Sequence, residues 1–345
     1  MTEFEQYIGA PLRAYKTSMG LIAAVEVGLF DFLGNGPART REIAEACAVQ
    51  EDALRILLPV LVHAGLIARE APRWRLTPPS EQFLVKGRKS YAGDIARYHR
   101  HTAPAWLDLV GALRNPGRGR RGEIVERSPA FLQVFGRAMA EIAEPLGPYL
   151  EPLVQDVPAR ARLLDLGCGA APLTRRLLAR HPGWRATLVD ALPVGKQIAR
   201  WANFDGLEDR VEFLQSDILA LGAQPQADVV LVSHVVHEHT ESAARTLLQT
   251  AAGLVTPGGK VIVVEFDGGD DDEVEAAQDL FQLSVLVLCG QSVPRRRPAD
   301  LRRIIVSAGL TVARRVAVDD GVTSPQVVFE AHINDPEDTI RREIL

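Results

Sequence analysis

The sequence predicts an α/β protein in two parts: a mainly helical amino-terminal domain, then an open parallel sheet with helices on both faces. Three observations carry this. The first third has apolar residues at helical spacing, interrupted by two short strands around Ala71–Pro72. After Pro158, short apolar runs alternate with amphipathic helical stretches. Those runs are apolar throughout rather than at every second position, which marks strands buried on both faces.

Composition bounds the rest. A chain of 345 residues has room for about two domains, and 47% hydrophobic with 24% charged residues belongs to a globular protein rather than a disordered one. The net charge of -5 leaves no electrostatic footprint for nucleic acid. Cys47, Cys168 and Cys289 are scattered without a CxxC pair, which suits reduced thiols and disfavours a cysteine-built zinc site. The opening MTEFEQYIGAPL has neither a basic nor an apolar leader region, and no apolar run approaches the about 18 residues of a spanning helix. A cytoplasmic protein without a membrane partner is expected.

Along the chain, LIAAVEVGLFDFL is apolar all round and predicts a helix buried on most faces, by another subunit if not by its own domain. Two helices follow, starting near Thr40 and Glu51–Asp52, with Gly65 after the second. GLIAREAPRWRLTP then supplies two short strands, so the whole describes a winged helix. Its would-be recognition helix, EDALRILLPVLVHA, has a single Arg55, whereas reading a groove needs basic and amide side chains. A structural, dimer-forming role is therefore favoured over DNA binding. Residues 90–157 stay helical, broken by NPGRGRRG, a solvated loop or a clamp for an anion. SPAFLQVFGRAMAEIAEPLGPYLEPLV predicts one long amphipathic helix, capped by Ser128 with Pro129 at its first position. The expected layout is a dimerisation domain over 1–100, a helical connector over 101–157 that contributes to a substrate pocket, and a sheet domain over 158–345.

In the sheet domain, RLLDLGCG, WRATLVDA, RVEFLQSD, ADVVLVSH and GKVIVVEF read as successive strands, a Rossmann-like order. LTVARRVAV and SPQVVFEAHI are close enough to pair as an antiparallel edge, and DGGDDDE after Phe266 reads as a solvated acidic loop. The first strand runs into Asp165-x-Gly167-x-Gly169, at the carboxyl end where open α/β sheets bind ligands. Asp165 would repel a pyrophosphate on this turn but tolerates a cofactor with an ammonium and a sulfonium. Asp190, ending the second strand, can accept ribose hydroxyls, and Asp217, ending the third, is placed to meet an adenine amino group.

With these motifs the chain resembles the S-adenosylmethionine-dependent small-molecule O-methyltransferases of bacteria and plants, which join a winged-helix dimerisation domain to a class I methyltransferase sheet. The resemblance extends from about Arg13 to Ile333, with Ala171 standing where the family turn has a third glycine. It implies a homodimeric methyltransferase of secondary metabolism (EC 2.1.1). Its cofactor would be S-adenosyl-L-methionine, leaving as S-adenosyl-L-homocysteine, and its acceptor a small aromatic or hydrophobic molecule. It implies a cofactor site of Asp165, Gly167, Gly169, Asp190, Asp217, Ile218 and Ser233.

SHVVHEHT falls where the family has a His-Asp pair, so the resemblance makes His237 the general base, Glu238 a secondary helper and Glu265 the carboxylate that orients the base. A histidine, with an ordinary pKa of about 6.5, suits deprotonation of a hydroxyl at neutral pH. A metal at His234, His237 and His239 is the competing reading, weakened because successive residues diverge and no HExxH spacing occurs; a plain loop histidine is a third. His234 is assigned to the pocket wall or surface.

Phe135, Met139, Ile142, Leu286 and Gly290 match substrate-lining positions of the family, although the first three suit core packing equally. Arg295 stands where the family has a second buttressing glutamate. Arg295 to Arg297 form either a solvated basic turn or a grip on an anionic acceptor, the latter admitting C-, N- or carboxyl-methylation. A rival of another class is a non-catalytic, ligand-sensing winged-helix regulator that holds the cofactor.

Overall fold

The computed structural model describes residues 2–117, 129–190, 204, 206–222, 226–269, 272–293, 295–318 and 325–333. It forms two compact units, Met1–Pro104 and Ala105–Leu345. Among the described residues no helix is long and apolar enough to cross a membrane.

In the first unit, helix α1 (Ala10–Glu26) is followed by α2 (Leu29–Leu33). The single helix expected through LIAAVEVGLFDFL is thus broken at Gly28, whose φ of 77° a glycine adopts without strain. Strand β1 (Ala38–Arg39), α3 (Thr40–Ala46), α4 (Glu51–His63), β2 (Ile67–Glu70) and β3 (Arg73–Leu76) complete the winged helix, its sheet ordered β1-β3-β2. Leu29, Phe30, Ile43, Leu58, Leu61 and Ile67 form its core, so α4 spends its apolar stripe inward. Arg55, the one arginine of α4, is paired with Glu51. Helices α5 (Pro78–Phe83) and α6 (Gly93–Trp106) follow.

The second unit begins with α7 (Leu109–Arg114) and α8 (Pro129–Ala143). The long helix expected from Pro129 stops at Ala143 and continues as short helical turns through Leu153. Pro145, Pro148 and Pro152 each remove a backbone donor, which prevents one continuous helix. Ser128 and the arginines of NPGRGRRG lie outside the described residues.

The sheet comprises β4 (Arg162–Leu166), β5 (Arg185–Asp190), β6 (Val211–Gln215), β7 (Ala227–Ser233), β8 (Val255–Phe266), β9 (Leu310–Val318) and β10 (Gln326–Ile333). Their order is β6-β5-β4-β7-β8-β10-β9. The first five run parallel, and β10 is antiparallel to both β8 and β9. The antiparallel pair is therefore split in role: β10 is interior and β9 alone forms the edge. Val327, Val328, Phe329 and Ala331 of β10 are fully buried, whereas β9 exposes Arg314 and Arg315. Apolar sequence takes the covered place and the charged strand blunts the edge.

Alternate strand residues build two cores. Leu164, Leu166, Val230, Val232, Val261 and Val263 pack under α10 (Glu241–Leu254) and α12 (Pro298–Ser307). Leu163, Val229, Leu231, Ile262 and Val264 pack under α9 (Pro172–Arg180) and the turns from Ala143 to Val154. Chain order reverses between β4 and β7, so their carboxyl ends flank the switch-point crevice of an open α/β sheet. The acidic run after Phe266 does not stay a loop, because α11 (Asp272–Cys289) starts within it.

At the far end of β8, buried Lys260 donates to Leu153 O, Asp156 and Glu330, the last across the β8–β10 pair at 2.8 Å. Glu330 is itself buried, and removing the lysine takes away its hydrogen-bonded cation, leaving Arg314 at 3.7 Å and His332 at 3.4 Å. Lys260→Met should destabilise the fold by about 3 kcal/mol, read as a lower denaturation midpoint in urea.

Candidate active site

The turn after β4 is shaped by close approach. Gly167 has φ 71°, and a Cβ there would meet Val235 at 2.6 Å; Gly169 has φ 50° and open space where its Cβ would be. Its backbone N–H donates to Asp190 Oδ2 at 3.0 Å, tying the turn to the end of β5. Ala171 adopts the left-handed conformation that the missing third glycine would have taken, with φ 49°.

Asp165 lies beneath this turn, only 3% exposed. Its carboxylate accepts from Thr174 Oγ1 at 2.6 Å, so it meets α9 rather than the open crevice. Burial pushes its pKa up to about 7 and the nearby Asp190 charge adds to the rise, opposed by the Thr174 hydrogen bond. Asp217 does not end a strand as expected: β6 stops at Gln215, and Asp217 sits exposed in the next turn, accepting from Leu219 N. Ile218 beside it is buried in the core. Ser233 ends β7 with its hydroxyl bonded to His234.

Past β7 the chain makes a short helical turn, Val236–Glu238. Glu265, near the end of neighbouring β8, is 1% exposed. Its Oε2 accepts from His237 Nδ1 at 2.9 Å and its Oε1 from the backbone N–H of His237 at 3.2 Å. Burial opposes the charge on Glu265, yet the imidazole and its hydrogen bonds hold the carboxyl below the usual range. With Nδ1–H committed, the basic lone pair of His237 resides on Nε2. Phe266 and Phe281 wall the ring, with centroids 5.5 and 4.9 Å away.

A small cavity opens at this pair, lined by His237, Glu265, Phe266, Gln278, Gln282, Arg296 and Leu301. Three sequence expectations change here. His234 is not pocket wall: its Nε2 donates to Gln326 Oε1 at 2.6 Å and its Nδ1 accepts from Ser233 Oγ at 3.0 Å, clamping β7 to β10. Burial pushes its pKa down, which keeps the ring neutral. Arg295 does not face the site; its guanidinium lies 3.9 Å from Asp279, and Arg296 is the one that reaches the cavity. Arg296 donates to Val236 O at 2.6 Å and to His239 O, bracing the turn that carries His237. Asp300 in the first turn of α12 accepts from Arg297 N. Finally, Phe135, Met139, Ile142 and Leu286 are half-buried and Gly290 is buried as the left-handed end of α11; none lines this cavity.

Glu238 is half-buried in the same turn and is not a lining residue either. Among the described residues no group of histidine, cysteine and carboxylate side chains is arranged to hold a metal ion. Sequence reading missed Gln278 and Gln282, whose helix carries no motif, and singled out the neighbour of Arg296.

Comparison with known proteins agrees with this architecture. Residues 11–86 match the O-methyltransferase dimerisation domain and residues 115–311 the O-methyltransferase domain. The chain is 30% identical over 315 residues to the tetracenomycin polyketide synthesis 8-O-methyl transferase TcmO of Streptomyces glaucescens, covering 88% of this chain and 91% of that protein. It is 27% identical to the N,N-dimethyltransferase OxyT of Streptomyces rimosus, covering 89% and 91%. Its fold is shared with human N-acetylserotonin methyltransferase, crystallised in complex with SAM, at a TM-score of 0.80 and 21% identity over 97% and 99% of the two chains. A winged-helix unit, a seven-stranded switch-point sheet and matches to both domains place the chain in the O-methyltransferase family, as a S-adenosylmethionine-dependent methyltransferase.

Proposed function

We propose that this protein methylates a hydroxyl of a small aromatic acceptor, with His237 as general base and Glu265 as the group that orients it. One observation carries the reading: a buried carboxylate fixes His237 through both ring and backbone, beside a cavity lined by Phe266 and with Phe281 packed on the imidazole. Glu265 keeps the proton on Nδ1, so Nε2 takes the proton of the acceptor hydroxyl, and the imidazolium that forms is stabilised by the carboxylate already in place. The aromatic walls suit a flat acceptor and exclude water from the transfer. The polyketide substrate named for TcmO is consistent with such an acceptor.

The crevice residues fit the cofactor. The open side of Gly169, the Asp190 carboxylate beside it and the Asp165 carboxyl below suit a cationic ligand without phosphate. When bound, the cofactor supplies an electrophilic methyl group on a positively charged sulfur. Gly167 and Gly169 would let the backbone approach it, Asp190 would accept its ribose hydroxyls, Asp217 and Ile218 would flank the adenine, and Ser233 would close the crevice from β7. Glu238 stays a secondary helper in this reading.

N-methylation is the second reading, favoured by the name of OxyT. An amine needs less help from a base, so the histidine variant separates the two. His237→Ala should lower kcat on a phenolic acceptor by about 10²–10⁴-fold with cofactor affinity unchanged, measured by steady-state turnover and calorimetry; near-wild-type turnover would favour the amine.

The dimerisation domain also suggests its interface. Phe4, Tyr7, Ile8, Leu12, Tyr15 and Met19 follow helical spacing on Glu5–Gly9 and α1, and Tyr7 and Leu12 are 68% and 66% exposed. We infer that this stripe buries against the same stripe of a second copy. Tyr7→Asp with Leu12→Asp should convert a dimer to a monomer in light scattering.

Asp165 adds a pH signature. Its folded pKa of about 7 lies above the ordinary 3.8, so between these values the folded protein holds a proton that the unfolded chain releases. This contribution to stability is present at low pH and is lost as pH rises through about 7. A cationic ligand on the turn favours the charged carboxylate, so cofactor uptake at pH 6 should release a proton. Calorimetry in buffers of different ionisation enthalpy measures it, and Asp165→Asn should abolish it.

A further inference from the structure

Helix α11 (Asp272–Cys289) turns Gln278 and Gln282 toward the cavity, and Phe281 lies on the same helix face at the i, i+3, i+4 spacing. Phe281 packs edge-on against the His237 ring and fixes the rotation of that face over the site. The two glutamines bracket Phe281 and carry no catalytic duty in the transfer described above. Gln278 is 2% exposed, and its Nε2 is buried without a hydrogen-bond partner among the described residues; the same holds for Oε1 of Gln282. Unpaired amide atoms at positions where leucine would pack are costly to keep. One lacks an acceptor and the other a donor, so both needs are met by a ligand group that offers each side by side.

The charge of that group follows from its neighbours. Arg296 is the cation on this wall, but its two terminal nitrogens donate to Val236 O and His239 O, and Glu265 balances its charge nearby. Recognition therefore falls to the neutral amides. With the two amides oriented as they are, a carboxylate, which offers two acceptors and no donor, leaves Gln282 Oε1 facing another oxygen. A carboxamide, or a carbonyl beside a hydroxyl, matches both atoms.

We propose that Gln278 and Gln282 form a polar subsite of the acceptor cavity, selecting a neutral carboxamide or hydroxy-carbonyl group on the aromatic molecule whose hydroxyl faces His237. The subsite rests on the methyl-transfer reading for its purpose, not for its ligand chemistry.

The test uses the full chain with S-adenosylhomocysteine and a set of hydroxynaphthamides, the amide beside the hydroxyl or one carbon removed. Each is compared with 2-naphthol and the corresponding hydroxynaphthoates by calorimetry. At least one naphthamide should bind about ten- to a hundredfold more tightly than 2-naphthol and than its carboxylate. Gln278→Met should reduce that preference to within about twofold without lowering the melting temperature, since the amide has no partner in the protein to lose. Equal binding of naphthol and every naphthamide, preference for a naphthoate, or a Gln278→Met variant that keeps the preference or melts earlier would each overturn the subsite. Turnover with S-adenosylmethionine keeps the premises apart. Gln278-dependent binding without methylated product removes the hydroxyl-transfer reading and leaves the subsite standing. Product formed equally from naphthol and naphthamide does the reverse.

Discussion

Glu265 is a carboxylate with almost no solvent; both of its oxygens accept from His237, and Oε2 accepts also from the N–H of Phe266. A lone buried charge of this kind is untenable, so the imidazole and the backbone N–H are as necessary to the glutamate as the glutamate is to them. The arrangement needs a particular scaffold. Glu265 ends β8 and His237 follows β7, so the two meet because these strands are parallel neighbours with their carboxyl ends level. Arg296 then holds the intervening turn by its carbonyls, and the Phe266 and Phe281 rings close around the imidazole.

The same end of the sheet carries a second, differently balanced charge. Asp165 is as buried as Glu265 but has a hydroxyl for a partner instead of an imidazole, and its carboxyl rises toward neutrality where that of Glu265 falls. Two acids at two strand ends are thus pushed apart by their surroundings. One is poised to gain its charge when a cation arrives on the turn above it. The other is held below the usual carboxylate range by the imidazole of His237.

Where the chain departs from its family pattern, the structure supplies local reasons. The glutamate expected at Arg295 is absent, and Arg296 beside it takes up a bracing role, with Glu265 left as the carboxylate on the imidazole. The missing third glycine leaves Ala171 in a left-handed conformation at the start of α9, held by the fully buried surroundings of its methyl group. The proposed acceptor-side selectivity moves from the motif positions to α11, where the glutamines lie.

The sequence by itself determined the class of fold, since continuous apolar strands between amphipathic helices permit little besides a parallel sheet covered on both faces. The resemblance carried by SHVVHEHT and VIVVEF named the His237–Glu265 couple, and the fold brought the two together across the carboxyl ends of β7 and β8. Chain-local features, such as the breaks at Pro145, Pro148 and Gly28, were equally present in the letters, although helical periodicity masked them. Tertiary structure alone decided which of three adjacent arginines faces the cavity, why His234 is a clamp while His237 is not, and that β10 lies inside the sheet. Those outcomes depend on side-chain direction and long-range register, and neighbouring letters along a chain carry neither. The unpaired amides of Gln278 and Gln282 belong to the same group: a glutamine on a helix reads as a solvated residue until the fold shows that no water-facing side is left for it.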